Sequence, residues 1–327
     1  MKVILLSGGA GERLWPLSGN IRSKQFIKLL TSPDGTYESM IQRVTRQIKN
    51  AGLSDDMIVV TGEHQKELTQ MQLGNKTAIV PEPYRRDTFT AIYLACAYLF
   101  AKGIDLNESI IVFPCDSFVD DEYFHAIHRL DEIIKKDIAD IALIGIIPTY
   151  PTSNYGYIVC KDKPTTFSNV SPIIEFVEKP DTETAEKLIK NGAMWNAGTY
   201  AFKLDYLLNL GSKYFKSTDY DELIAEYGDL PKLSFSYEIL EKIDNKCAIP
   251  FKGLWKDIGT WDTFTNELNF FEHGNVRTSK CHNSYVINGL EKPLICVGCD
   301  NMIVVASVNG ILVTNKDQCE DLKHLLH

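Results

Sequence analysis

The chain has 327 residues, 44% apolar, 24% charged and 10% aromatic, an ordinary globular composition with enough apolar material for a large core or about two domains. Disorder, collagen and coiled coil are thereby excluded. A formal charge of −9 argues against a broad nucleic-acid surface, while leaving room for a concentrated basic pocket that takes a phosphorylated small molecule.

In chain order, β-branched runs predict strands at residues 3–7, 57–61, 110–113, 141–146, 157–159, 173–178 and 199–202, with helices between most of the early ones. This is an α/β rhythm. Asp87-Thr88 reads as an N-cap for an apolar helix over 89–102. A helix over 262–271 then leads through Gly274-Asn275 into short strands at 284–287, 294–297, 302–306 and 311–314, with a final helix from Lys316. The pattern predicts a catalytic domain over 1–265 and a small β-rich domain over 275–327, for which a β-helix-like form is one option. The two pack directly, without an internal repeat.

The apolar residues 3–6 run at once into Ser7-Gly8-Gly9, too short for a signal peptide, and the apolar stretch 91–101 is too short for a bilayer. A cytoplasmic chain with no membrane partner is expected. The eight cysteines are scattered, so most are expected as core thiols. Cys296-Val297-Gly298-Cys299, near Cys281 and His282, can be read as a zinc site or as two thiols in a strand-rich segment; no second spaced pair supports zinc.

The first predicted strand ends in Leu6-Ser7-Gly8-Gly9-Ala10-Gly11-Glu12-Arg13, followed by Lys24-Gln25-Phe26. Glycines let backbone N–H groups approach phosphate oxygens, and Arg13 and Lys24 can neutralise a polyphosphate that an acidic protein would repel. The motif lacks the Gly-Lys-Ser/Thr of a Walker loop and the third glycine of the dinucleotide fingerprint. It reads as a polyphosphate cradle at the carboxyl end of a strand, where open α/β sheets bind ligands.

Gly8-Gly9-Ala10-Gly11-Glu12-Arg13-Leu14-Trp15-Pro16-Leu17-Ser18 with Lys24-Gln25-Phe26 resembles the signature of sugar-1-phosphate nucleotidyltransferases, in particular mannose-1-phosphate guanylyltransferases. Further resemblances follow in the same order: Pro81-Glu82-Pro83-Tyr84-Arg85-Arg86-Asp87, Phe113-Pro114-Cys115-Asp116-Ser117, Tyr155-Gly156, Phe176-Val177-Glu178-Lys179-Pro180, Trp195-Asn196-Ala197-Gly198 and Trp255-Lys256-Asp257-Ile258-Gly259. The resemblance implies a Rossmann-like nucleotidyltransferase fold with a mixed central sheet. It implies transfer of a nucleotidyl group from GTP to α-D-mannose 1-phosphate, with Mg²⁺ held by Asp116 and Asp257. Leu6, Ser7, Gly8, Gly9, Gly11, Glu12, Arg13, Arg86 and Asp87 would bind the nucleotide, and Arg13 and Lys24 would serve catalysis. Gly156, Glu178, Lys179, Asn196 and Gly198 would bind the sugar phosphate, and the family picture allows a homodimer through the β tail. Taken alone, Asp116 could be a turn or cap residue, Asp257 a loop carboxylate, and Glu178-Lys179 a surface ion pair.

Departures from the family pattern fall at Ser23, Asp87, Phe89, Thr90 and Ser117. Those at Asp87 and Phe89 predict altered recognition of base or sugar, because a carboxylate lacks the amide donor and Phe is bulkier than Ala. The rival readings are the same transfer on another sugar 1-phosphate or NTP, and a catalytically silent sugar-nucleotide sensor that binds nucleotide without releasing pyrophosphate. The end of the sequence soon after the β tail leads to the expectation of no phosphomannose isomerase activity.

Overall fold

The structure is a computed structural model that describes residues 1–9, 12–19, 22–53, 57–163, 166 and 169–325. Its centre is a nine-stranded mixed sheet of β1 (Lys2–Leu6), β2 (Ile58–Gly62), β3 (Ala78–Glu82), β4 (Ser109–Pro114), β5 (Ile141–Ile146), β6 (Tyr157–Cys160), β7 (Ser171–Val177), β8 (Met194–Lys203) and β9 (Lys246–Phe251). The order is β3-β2-β1-β4-β8-β5-β9-β7-β6. The first four strands pair in parallel, whereas β8 runs antiparallel to both β4 and β5.

Successive residues of a strand point to opposite faces, and here both faces are covered. Val3, Leu5, Ile111 and Phe113 join Ile41 and Val44 of α1 (Met40–Asn50) in one cluster. Ile4, Ile110 and Val112 join Ile92 and Leu99 of α2 (Asp87–Ala101) in the other. Ile127 and Leu130 of α3 (Glu122–Lys135) sit on the α1 side. That double burial is why β1, β2 and β4 read as unbroken apolar runs.

Two strands of this sheet were not expected, and both contain proline. β3 carries Pro81, tolerated because β3 is the sheet's edge. β9 carries Pro250 inside the sheet, but its pairing with β7 involves only Ala248 and Cys247, so the missing N–H at 250 breaks no ladder on that side. β8 is longer than the expected 199–202. Trp195-Asn196-Ala197-Gly198 belongs to the strand as a bulge, with Gly198 at φ +73 and the register shifting between Asn196 and Tyr200.

The helix expected over 262–271 ends at Thr265. The Thr265 hydroxyl donates back to the Trp261 carbonyl at 2.8 Å, and the chain then closes with i→i+3 turns at Glu267 and Leu268. Beyond it lie β10 (Glu272–His273), β11 (Val276–Ser279), β12 (Tyr285–Asn288), β13 (Leu294–Val297), β14 (Met302–Ser307) and β15 (Gly310–Asn315). β10, β12 and β14 stack in parallel, as do β11 and β13, and β15 folds back antiparallel on β14. The stacking corrects the expectation of no repeat. Val276 faces Leu294, Tyr285 faces Ile303, and the Asn283 amide donates to Asn301 one coil later, a spacing of 18 residues. Tyr285, Ile287, Ile303 and Val305 share a cluster with Trp261 and Phe264, so the tail packs on the sheet-bearing part without a linker. Among the described residues no helix is long and apolar enough to cross a membrane.

Candidate active site

The cradle begins where β1 ends. Gln25 donates through Nε2 to the Ser7 carbonyl at 2.9 Å, and Thr61 donates to the same oxygen at 3.1 Å. Ser23, a departure from the family pattern, receives the Gln65 amide at 3.0 Å. The strand end and the Lys24-Gln25-Phe26 turn are thus tied together by buried side chains, leaving Gly8 and Gly9 to form the open part of the loop. Gly11 lies outside the described residues, as does the side chain of Glu12.

Lys24 is 9% exposed, and its Nζ lies 2.9 Å from Asp116 Oδ2 and 3.2 Å from Asp257 Oδ1. The two acids are far apart in the chain. A two-stranded pairing of Ser117–Val119 with Trp255–Asp257 sets Ser117 opposite Asp257 and brings the carboxylates to one ammonium. Burial acts to lower the Lys24 ammonium, but the two carboxylates outweigh it and hold it above its usual value. Burial likewise acts to raise the Asp116 carboxyl, and the Lys24 charge and hydrogen bond leave it below its ordinary value. Gly259 keeps the space open: a Cβ there would sit 2.9 Å from Asp257 Oδ1, 3.0 Å from Lys24 Nζ and 3.6 Å from Arg13 Nη1. Burial pushes the neighbouring Cys115 thiol up to about 12, so it is no nucleophile.

A cavity of about 350 Å³ beside this cluster is lined by Gly8, Gly9, Gln25, Glu82, Arg85, Arg86, Asp87, Thr88 and Asp116, among others. Asp87 sits at φ +68 and its carboxylate accepts the Thr88 N–H at 2.6 Å, so it both borders the cavity and satisfies a donor at the start of α2. Arg86 donates to the Tyr227 carbonyl at 3.1 Å. Phe89 and Thr90 do not reach the cavity. Phe89 is buried edge-on against Tyr214 at 5.4 Å, and Thr90 donates to the Pro231 carbonyl at 2.8 Å. The expectation that Phe89 alters substrate recognition is therefore corrected: its bulk fills a core between α2 and residues 214–235. Of the five departures, only Asp87 lines the cavity.

The sugar-side residues also converge. Asn196 N–H donates to the Gly156 carbonyl at 2.8 Å, and its side chain accepts the Gly198 N–H and donates to the Tyr200 hydroxyl, each at 3.1 Å. A Cβ at Gly156 would meet Glu178 Oε2 at 2.5 Å, and one at Gly198 would lie 3.5 Å from Pro114, two residues before Asp116. Glu178 is raised by burial, against the pull of Lys179 at 3.4 Å, and its Oε2 has no hydrogen-bond partner. Lys179 sits at φ +47 with its side chain 57% exposed.

Sequence reasoning missed Gln25, Glu82 and an aromatic wall. Glu82 accepts from the buried Tyr227 hydroxyl at 2.7 Å, and burial lifts its carboxyl to about 7. Tyr150, Tyr155, Trp195 and Trp255 pack edge-to-face at 5.0 to 5.3 Å, and the Nε1 donors of both tryptophans are buried without an acceptor. Cys281, Cys296 and Cys299 lie among Val276, Leu294 and Met302 in the tail; among the described residues no group of three or more His, Cys, Asp or Glu could hold a metal. The Asp116–Asp257 pair nevertheless suits a hard divalent cation: two carboxylates face one charge in a space a Cβ would fill, and Mg²⁺ is commonly bound by one or two carboxylates plus substrate phosphates.

Residues 2–274 match the Nucleotidyl transferase family. The alginate biosynthesis protein AlgA of Pseudomonas aeruginosa is 28% identical over 99% of this chain and 71% of its own. The mannose-1-phosphate guanylyltransferase RfbM of Salmonella typhimurium is 26% identical over 99% of this chain and 71% of its own. A solved structure from Thermus thermophilus, described as a mannose-1-phosphate geranyltransferase, has the same fold, with a TM-score of 0.78 at 24% identity over 99% of this chain and 97% of that one. The chain belongs to the nucleotidyl transferase family.

Proposed function

We propose that the protein transfers a guanylyl group from GTP to α-D-mannose 1-phosphate, giving GDP-mannose and pyrophosphate, in the cytoplasm. The observation that carries the reading is Lys24 bridging Asp116 and Asp257, with Asp116 lining the same cavity as Gly8 and Gly9. Relatives whose names include mannose-1-phosphate guanylyltransferase support the choice of sugar and base.

In this reaction an oxygen of the sugar phosphate attacks the α-phosphorus of GTP and pyrophosphate departs, so no protein nucleophile is needed. The chain's work is to position two anions and neutralise charge on the transferring group. Gly8 and Gly9 offer backbone N–H groups, and Arg13 and Lys24 offer fixed positive charge. Asp116 and Asp257 would hold Mg²⁺, which supplies further positive charge to the phosphates when bound. Glu178, Asn196 and Lys179 would take the sugar phosphate. The reading is tested in reverse: GDP-mannose incubated with pyrophosphate and Mg²⁺ is expected to yield GTP and mannose 1-phosphate, and recovery of unchanged GDP-mannose contradicts it.

Glu82 supports guanine. Its Oε1 is engaged by Tyr227, while its Oε2 lies beside the loop, 3.1 Å from where a Gly8 Cβ would be. Guanine presents two donors, N1–H and the 2-amino group, to which an ionised carboxylate is the matching acceptor. Because burial raises Glu82 to about 7, it is largely protonated below that pH and must ionise to accept both donors. KM for GTP is therefore expected to fall by up to about tenfold per pH unit as pH rises toward 7, and to level off above it. Glu82→Gln should abolish this dependence and cost on the order of 10²-fold in kcat/KM for GTP, with a smaller loss for ATP. An unchanged ratio of GTP to ATP use in that variant would remove Glu82 from base selection.

A further inference from the structure

The β14–β15 turn reaches out of the tail to the loop that follows Arg13. Ser307 Oγ donates to the Pro16 carbonyl at 2.7 Å, and Asn309 Nδ2 donates to the same oxygen at 3.1 Å. Asn309 N–H in turn donates to Ser307 Oγ at 3.1 Å, which fixes that hydroxyl. Gly310 lies flat against the indole of Trp15, where a Cβ would come within 2.7 Å of Cη2. From the other side the Trp261 indole N–H donates to the Trp15 carbonyl at 2.8 Å.

Residues 14–18 form one hydrogen-bonded turn, with Leu17 and Ser18 N–H groups on the Leu14 carbonyl at 3.0 and 3.1 Å. A shift at Trp15-Pro16 is therefore passed to Leu14 and to Arg13 beside it. The loop in front of Arg13 contains Gly8 and Gly9, which leave the backbone many conformations. Placing Arg13 against a polyphosphate needs a restraint supplied from outside the loop. The Pro16 carbonyl receives two donors from residues 291 and 293 positions away, and Trp15 has a glycine fitted to its ring.

We propose that the 307–310 turn of the β tail positions Arg13 for nucleotidyl transfer, so that the tail is a working part of the active site. Ser307, Asn309 and Gly310 are positioning residues: they act through Trp15 and Pro16 and touch no substrate. The inference rests on the reading of residues 7–13 as the triphosphate loop.

The experiment is a mutant cycle on the full chain, with steady-state kinetics for GTP and mannose 1-phosphate and thermal unfolding for each protein. Ser307→Ala/Asn309→Ala should lower kcat about tenfold with KM for mannose 1-phosphate unchanged, while Ser307→Thr, which keeps the hydroxyl, should retain wild-type kcat. In an Arg13→Ala background the Ser307→Ala/Asn309→Ala pair should cost nothing further, because the group it positions is gone. Gly310→Ala, which pushes on Trp15 directly, should behave like the double variant. Equal losses with and without Arg13, or a fall in melting temperature with kcat unchanged, would overturn the positioning role. Wild-type turnover in Arg13→Ala alone would instead overturn the triphosphate-loop reading and the inference with it.

Discussion

Replacing Lys24 by alanine is expected to lower kcat by about 10²- to 10³-fold, the scale on which removal of one preorganised charge from a transfer site acts. The residue is 9% exposed and is held by two carboxylates at 2.9 and 3.2 Å that keep it protonated. It therefore cannot serve as a base at neutral pH, and the contribution proposed for it is fixed positive charge and directed donors. Without it Asp116 and Asp257 face each other uncompensated, so the variant should also unfold at a lower temperature than wild type. Mg²⁺ should raise that temperature more in the variant than in wild type, because the cation restores the missing charge. Lys24→Arg keeps the charge but brings a planar, bulkier fork into a space bounded by Gly259 and both acids, and it should recover little. Steady-state kinetics beside thermal melts with and without Mg²⁺ check all four statements. Near-wild-type kcat in folded Lys24→Ala would remove Lys24 from the chemistry.

Asp116→Asn is expected to cost about 10²-fold or more in kcat while leaving the fold intact. The amide keeps the size of the carboxylate and can still accept a hydrogen bond from Lys24, but it is a poorer ligand for a hard cation. The loss should be partly offset by raising Mg²⁺ if the cation is involved, and turnover measured across a Mg²⁺ titration reads this directly. Because Lys24 holds the wild-type Asp116 carboxyl below its ordinary value, that group stays ionised through the neutral range, and turnover should show no titration from it there. Normal turnover of the variant at saturating Mg²⁺ would refute the metal-holding role.

Much of the fold was legible because β1, β2 and β4 are buried on both faces. The segments at 141–146 and 294–297 emerge with the expected bounds. What was hidden follows from context. Pro81 and Pro250 argue locally against strands and are admitted only because β3 is an edge and β9 lacks a full partner at that point. Asn196 and Gly198 look like turn residues, and the Asn196 side chain does close a turn-like hydrogen bond onto Gly198, yet the strand continues through the bulge to Lys203. The 18-residue coil of the tail spans too few turns to announce itself by repetition.

At the site, Lys24 was legible from the glycine-rich motif and Asp116 and Asp257 through the family resemblance, but their convergence depends on the pairing of Ser117 with Asp257, which no local pattern reveals. Glu82 was visible only as part of a motif. Its raised carboxyl arises from burial, which outweighs the lowering hydrogen bond from Tyr227, a residue from a distant helical segment. Phe89 misled in the opposite sense: proximity in sequence to Arg86 suggested the substrate, whereas one helical turn rotates it into the aromatic core with Tyr214 and Phe235. The Ser307 and Asn309 contacts with Pro16 join the two ends of the chain and carry no sequence signature.

The most direct test is pyrophosphate release by the purified protein with Mg²⁺, crossing GTP, ATP, UTP, CTP and dTTP with mannose, glucose and other sugar 1-phosphates. The account predicts the highest kcat/KM for GTP with mannose 1-phosphate. A higher value for another pair would contradict the assigned specificity, and bound nucleotide without pyrophosphate from any pair would contradict catalysis itself.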